Sequence, residues 1–241
     1  MPTFQHKTQF ETLNRKTKRK KAMAEINFYN IDCIEFMKTK PDNYYDLAIC
    51  DPPYGIGMSN SNKRTKPSRP NSYTKYADFR YHQTDWDNER PKEEYFKELF
   101  RVSKDQVIFG ANYLCEYLPS GKGWLFWNKL NGLDNCFSDG EFAFTSKGVQ
   151  SKYFECSAFH NLSGGKDRIH PTQKPIQLYR WVLQNYAKQG YKIIDTHGGS
   201  MSIAIACDKE KFDLDICEID KIYFDKGLKN YEQHKQQITM F

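Results

Sequence analysis

Residues 51 to 54 read Asp51-Pro52-Pro53-Tyr54 and follow the apolar run "DLAIC". A carboxylate, two residues without an N–H and an aromatic ring stand where a buried strand must stop. Asp51 supplies a hydrogen-bond acceptor. Proline holds the backbone extended and has no N–H of its own, so the Pro52 carbonyl serves as a second acceptor. Pro53 stiffens the turn, and Tyr54 offers a ring face. This set suits a planar amine whose lone pair is delocalised into a ring. One acceptor for each amine hydrogen draws that pair back onto nitrogen. The competing reading is an ordinary strand-to-turn exit, which Pro and Gly also serve.

Two further clusters carry chemistry. "DTHGGSMS", from Asp195 to Ser202, follows a strand and opens a helix. Gly198 and Gly199 there let the backbone approach a ligand closely. Glu218 ends the next strand, where an acid can hold ribose hydroxyls; a surface acid is the plainer reading. "HPTQKP", from His170 to Pro175, leads into a helix with Pro175 suited to its first turn.

The elements that position these clusters follow from periodicity. "INFYNID" reads as a strand ending near Asp32, and "CIEFMK" as a short helix that Asp32 can cap. "DLAIC" has the form of a buried parallel strand. "PKEEYFKELFRVS" reads as a helix with Pro91 in its first turn. "QVIFG", "GWLFWN", "EFAFTS" and "KYFECSAF" read as strands rich in aromatics. "PIQLYRWVLQNYA" is a helix with Ile176, Tyr179, Val182, Leu183, Tyr186 and Ala187 on one face. "YKIID" and "FDLDICEID" are strands, "SMSIAIACD" is a short helix, and a last helix covers about residues 221 to 235. Strands alternating with helices predict a single-domain, doubly wound, mostly parallel Rossmann-like α/β sheet. Four strands end at Asp32, Asp51, Asp195 and Glu218, on the edge where such sheets bind ligands.

A chain of 241 residues and 39% hydrophobic content buries a sizeable core. No stretch reaches the roughly 18 apolar residues of a membrane span. No apolar block follows the basic N-terminus, so a secretory signal is not expected. The seven cysteines form no CxxC pair, which argues against zinc and for a reducing cytosol. Charge is unevenly placed. Residues 1 to 22 hold seven basic residues against Glu11, which accounts for the entire net charge of +6. This arm is expected to be disordered, with the folded domain spanning residues 23 to 241. A second basic stretch, with Lys63, Arg64, Lys66 and Arg69, lies in a loop over residues 55 to 90 and is expected to be mobile. Two basic segments suit a polyanion, although a solvated tail and loop would look the same.

Taken in order, "DPPY", "HPTQKP" and "DTHGGSMS" resemble the S-adenosylmethionine-dependent amino-methyltransferases of DNA. The likeness covers about Asn27 to Lys235, and the order resembles the beta subclass, with the catalytic motif before the cofactor motif. The resemblance implies a circularly permuted methyltransferase fold with S-adenosylmethionine as cofactor. It implies a DNA substrate whose target base is flipped out of the duplex, so that its amine meets Asp51, Pro52, Pro53 and Tyr54. It places Asp32 and Cys33 beside the cofactor adenine, Glu218 at its ribose, and Asp51, Asp195, His197, Gly198, Gly199 and Ser200 along the cofactor loop. His170, Thr172 and Lys174 fall at the cofactor's methionine end, where Lys174 pairs with the carboxylate and Thr172 donates. Neither histidine is needed as a general base. Met201 stands where the family has a further glycine. Phe109, Trp127 and Phe144 are candidates for the base pocket or for the core.

The resulting expectation is a site-specific DNA methyltransferase acting on adenine N6. Cytosine N4, an RNA base, or an inactive DNA-binding protein of the same fold are the alternatives. Target recognition falls to residues 55 to 90, to residues 129 to 168, or to both. The expected setting is the cytoplasm of a bacterium or of a phage-infected cell, as part of restriction-modification. A homodimer and a cognate restriction endonuclease are both compatible with the sequence, and no membrane partner is expected.

Overall fold

The computed structural model describes residues 23–58, 84–130, 138–158 and 168–239. Eight strands form one sheet: β1 (Ile26–Tyr29), β2 (Tyr45–Cys50), β3 (Ser103–Phe109), β4 (Gly123–Asn128), β5 (Gly140–Thr145), β6 (Lys152–Glu155), β7 (Lys192–Asp195) and β8 (Asp213–Cys217). Their order across the sheet is β1-β8-β7-β2-β3-β5-β4-β6. All pairings are parallel except those of β5 with β3 and with β4. The expected mostly parallel, doubly wound sheet is therefore present.

Alternation along the strands feeds two cores. Leu47, Ile49, Val107, Phe109, Ile193, Leu214 and Ile216 point to one face. There they meet helices α4 (Ile176–Tyr186) and α5 (Ser202–Glu210). Tyr45, Ala48, Cys50, Ile108 and Ile194 point to the other face. That face is covered by α1 (Cys33–Lys38), α2 (Glu93–Val102) and the short α3 (Ala111–Leu114). A last helix, α6 (Lys221–Thr239), completes the chain. No helix among the described residues is long and apolar enough to cross a membrane.

Two helices differ in detail from the sequence reading. Helix α2 begins at Glu93 with Lys92 as its N-cap, so Pro91 precedes the helix and is not in its first turn. Pro175 is likewise the N-cap of α4, in extended conformation at ψ 141°. Leu178 replaces Ile176 and Ala187 among the buried residues of that helix. In each case the helix starts one or two residues later than proline's preference for the first turn suggests.

The strand order has one consequence for chemistry. β1, β8, β7 and β2 are parallel neighbours, so their carboxyl ends share one edge. The pairing of Leu47 with Ile193 and of Ala48 with Ile194 brings the Asp51 and Asp195 loops side by side, although they are far apart in sequence. The chain order reverses direction between β7 and β2, and ligands of open α/β sheets bind at such a switch point.

Candidate functional site

Asp32, Glu218, Asp195 and Asp51 follow β1, β8, β7 and β2 in that spatial order. The last of them belongs to a compact ionic cluster. Lys174 Nζ donates to Asp51 Oδ1 at 2.5 Å, to Glu141 Oε1 at 2.9 Å and to the Tyr54 hydroxyl at 3.1 Å. The Tyr54 hydroxyl has two acceptors for its one hydrogen, Asp51 Oδ1 and, at 2.7 Å, Glu141 Oε1. Lys129 lies 3.0 Å from the second oxygen of Glu141. The side chains of Lys174, Glu141 and Asp51 are 2%, 10% and 13% exposed, so these are ions held away from water.

Electrostatics within the cluster are unequal. Burial pushes the Asp51 carboxyl up, and the negative Glu141 adds to this, against the pull of Lys174. Glu141 has two lysines beside it and is held down at about 2 despite its burial. The two carboxylates raise Lys174 above its usual range and outweigh the cost of burying its ammonium. The result is a charged lysine between two acids of different basicity.

Among the described residues, only Oδ1 of Asp51 is engaged. Among the described residues, no hydrogen-bond donor reaches Asp51 Oδ2 or the Pro52 carbonyl. Two acceptors next to each other at a strand end thus remain available, while a fixed lysine and tyrosine hold the acid in place.

The loop that carries Tyr54 is pinned by Asp87. Its Oδ1 accepts from the backbone N–H groups of Tyr54 at 2.8 Å and Gly55 at 2.9 Å, and its Oδ2 accepts from Met58 at 2.6 Å. The Asp87 carbonyl also accepts from Gly57 at 3.0 Å. Hydrogen bonds from several N–H groups to one buried carboxylate are among the stronger kinds in proteins. Tyr54 itself stacks on Tyr113, with ring centroids 5.2 Å apart and planes 15° apart.

The neighbouring loop, after β7, is built differently. Asp195 is 1% exposed, and its Oδ1 accepts from the His197 N–H at 3.0 Å. Glu218 Oε2 accepts from the Gly199 N–H at 2.7 Å, and Oε1 from Asp220 at 2.9 Å. Gly199 has φ +47°, and a Cβ there would lie 3.6 Å from the His170 ring. His170 in turn packs against Tyr223 at 4.4 Å and Trp86 at 5.1 Å. The Thr172 hydroxyl lies 3.1 Å from His170 Nδ1. Ser200 Oγ bonds Ser202 Oγ at 2.8 Å. His197 bonds the Thr196 hydroxyl at 2.9 Å and meets the Tyr95 ring edge-on. Burial holds His170 down to about 3 and His197 to about 4, so both are neutral near pH 7.

Asp32 serves as the N-cap of α1, accepting from Ile34 at 2.8 Å and Glu35 at 3.0 Å through Oδ1. Cys33 follows it as the first residue of that helix, its thiol pushed up by burial. Met201 takes a left-handed conformation, φ 57°, as the N-cap of α5. That conformation costs a non-glycine residue roughly 1–2 kcal/mol. The side chain is fully buried, and it fits because Gly227 on α6 has no Cβ; one built there would sit 2.5 Å from Met201 Cγ.

Asp195 gives an expected pH dependence. Burial, with Asp51 and Glu218 nearby, raises its carboxyl from the usual 3.8 to about 8. The folded protein therefore keeps a proton that the unfolded chain releases near pH 3.8. Stability from this group is fully present below that pH and falls as pH rises toward 8. Thermal denaturation of the wild type and of Asp195→Asn between these limits should give a steeper decline for the wild type. Parallel curves would mean that Asp195 is ionised throughout.

Sequence reasoning missed Glu141, Asp87, Gly110 and Tyr113. The clue to Glu141 is alternation. It shares a face of β5 with the buried Ala143 and pairs with the buried Trp127, so an acid occupies an inward position. Asp87 has no such signal. Of the aromatic candidates, Phe109, Trp127 and Phe144 are all buried. The Phe109 ring lies 4.8 Å from Lys174 Nζ and walls the ionic cluster, whereas Phe144 packs on the opposite face with Phe100. Residues 1–22, Lys63, Arg64, Lys66, Arg69 and parts of the 129–168 segment lie outside the described residues.

No protein-family model matches the chain. It is similar to the type II methyltransferase M2.MboI of Moraxella bovis, 24% identical over 214 residues, covering 75% of this chain and 78% of that one. It is also similar to the type II methyltransferase M1.MboII of Moraxella bovis, 24% identical over 133 residues, 49% of this chain and 45% of that one. The match thus spans about half the length of M1.MboII and over three quarters of M2.MboI. Among solved structures, the M1.HpyAVI–SAM complex superposes with a TM-score of 0.53 at 17% identity, covering 85% of this chain and 98% of that one. The cytosine-N4-specific PvuII DNA methyltransferase superposes with a TM-score of 0.57 at 12% identity, covering 88% and 91%. The fold is that of these solved structures.

Proposed function

We infer that this chain, a homologue of the type II DNA methyltransferases, moves a methyl group from S-adenosylmethionine to an exocyclic amine of a DNA base. The observation that carries this reading is the pair of unengaged acceptors at the end of β2, Asp51 Oδ2 and the Pro52 carbonyl. An amine presented there donates one hydrogen to each, and its lone pair gains density on nitrogen. The cofactor supplies the electrophilic methyl group. The chain supplies alignment, which is where most of the rate enhancement of an in-line displacement arises. A duplex base reaches so recessed a carboxylate only after leaving the stack. The extra proton of the methylated amine passes to water.

The residues after β7 and β8 fit the cofactor. A buried acid, a positive-φ glycine packed against the His170 ring, and Glu218 bound to the Gly199 N–H form a cradle that suits close approach of the backbone to a ligand. The buried Trp86 indole N–H, beside His170, has no partner among the described residues, and a bound ligand would satisfy it. In this reading Glu218 and Asp195 hold the nucleoside side, Thr172 and His170 line the methionine end, and Asp32 and Cys33 border the adenine. Lys174, which lies on Asp51 and Glu141, serves the catalytic acid here.

Adenine N6 is the first target, from the resemblance of "DPPY". Cytosine N4 is the second reading, favoured by the superposition on the PvuII enzyme. Both bases present an amine to the same two acceptors. Mass spectrometry of nucleosides from DNA incubated with the protein and S-adenosylmethionine decides between them. N6-methyladenine is the expected product, and absence of any methylated amine would end the reading.

The basic arm, residues 1 to 22, adds phosphate contacts in this proposal. Each Lys or Arg that neutralises a phosphate steepens the salt dependence of duplex binding by roughly 0.9 in log–log slope. Truncation before Met23 should flatten that slope and leave the methylated sequence unchanged, because phosphate contacts position a protein while base contacts specify. Affinity measured against salt for both forms is the check, and equal slopes would reduce the arm to a solvated tail.

A further inference from the structure

We propose that Glu141 is a positioning residue for Asp51, keeping Lys174 and Tyr54 on one oxygen of the acid so that the other stays open to the target amine. This rests on the methyltransferase reading above and concerns a residue outside its motifs.

The donors of the cluster are few and all committed. Lys174 has three N–H donors, and they go to Asp51 Oδ1, Glu141 Oε1 and the Tyr54 hydroxyl. Tyr54 has one hydrogen and two acceptors, Asp51 Oδ1 and Glu141 Oε1. Lys174 and Tyr54 therefore each reach both acids. Remove Glu141 and a buried ammonium and a buried hydroxyl have Asp51 as their only carboxylate. An ammonium stripped of water satisfies more than one hydrogen on whatever acceptors remain. Asp51 Oδ2 belongs to the carboxylate that Lys174 already touches, and it is the acceptor the amine needs. Glu141 is itself anchored from behind, by Lys129 at 3.0 Å on its other oxygen. It enters from β5, where its backbone pairs with Trp127 of β4, two residues beyond Ala143, the last residue of the β3 ladder. Nothing places it in contact with a substrate; it acts through Lys174 and Tyr54.

Charge gives a second consequence. The negative Glu141 is one cause of the raised Asp51 carboxyl, after burial. Glu141→Gln keeps the shape and removes that charge, so Asp51 should lose its proton at lower pH. Glu141→Asp keeps the charge and shortens the reach.

The experiment uses both variants of the full chain, with S-adenosylmethionine affinity by calorimetry as the check of folding. Glu141→Gln should lower kcat by about 100-fold, the scale of a misplaced reacting group, and shift the acid limb of the kcat profile to lower pH. Glu141→Asp should lower kcat with the acid limb unmoved. Cofactor affinity should stay within about twofold in both, in keeping with a group that serves alignment alone. An unchanged kcat in Glu141→Gln, or an acid limb that stays put or rises, would overturn the proposal. Carboxyl-carbon NMR of Asp51 in wild type and Glu141→Gln reads the same shift without turnover. If the wild type methylates no base, the methyltransferase reading fails by itself, and a downward NMR shift would still show the coupling of the two acids. An unmoved Asp51 resonance would refute it.

Discussion

Asp51→Ala should abolish measurable methylation while leaving S-adenosylmethionine binding within a few-fold of wild type. Asp51 holds the better placed of the two acceptors at the end of β2, and its free oxygen is the one a target amine would meet. Removing one positioned acceptor or donor from a water-poor site costs about a hundredfold or more in rate. The structural cost should be smaller than for most buried ion pairs. Breaking such a pair usually strands a charge at about 3–5 kcal/mol. Here Lys174 keeps Glu141 at 2.9 Å, so the ammonium is not left alone. Asp51→Asn makes the comparison sharper. Its amide oxygen must face Lys174, which puts the amide N–H groups, donors only, where the free Oδ2 stood, so activity should be as low as in Asp51→Ala. Single-turnover methylation rates together with cofactor affinity test this. Turnover near wild type in Asp51→Ala would remove Asp51 from the chemistry.

Much of this site can be traced from the sequence because it lies where strands stop. A strand's end is marked locally, by prolines, glycines and an acid, and parallel pairing then brings such ends to one edge without further information. Asp32, Asp51, Asp195 and Glu218 come together for that reason. Glu141 and Asp87 do not announce themselves in this way. Glu141 matters only because β5 inserts antiparallel between β3 and β4, a register set by long-range pairing. Asp87 matters because the segment around it folds back over the Gly55 turn, which no periodicity reports. Lys174 shows the intermediate case. Its motif marks it as a candidate, but its partners are decided by tertiary placement, which puts it against Asp51 and Glu141. Met201 shows the reverse. Read alone, it departs from the family's glycine, yet the left-handed backbone is retained and the room for its side chain is provided by Gly227, on the last helix.

Gly110 carries the other large expected effect. It ends β3 in the left-handed region, φ +67°, immediately before α3. A Cβ added there would lie 2.0 Å from Cε1 of the Tyr54 ring and 2.4 Å from Cζ, well inside any real contact. The neighbour is an aromatic ring, which cannot bend away as a lysine end could. The ring is held by Tyr113 on its stacked side, and its backbone N–H is tied to Asp87 at 2.8 Å. Gly110→Ala must therefore move the whole Tyr54 side chain. The hydroxyl then leaves Asp51 and Glu141, and Lys174 loses its third acceptor. The left-handed alanine adds roughly 1–2 kcal/mol of backbone strain. The expected outcome is a lower melting temperature and a fall in kcat of about 100-fold, the range seen when a reacting group is misplaced by about an ångström. Cofactor affinity should change little, because the loops after β7 and β8 do not touch this turn. Removing the ring separates the two causes. In the double variant Gly110→Ala, Tyr54→Ala the clash is gone, so the melting temperature should recover toward that of Tyr54→Ala alone while kcat stays low. Recovery of kcat as well would show that Tyr54 obstructs the site when displaced and contributes nothing when in place.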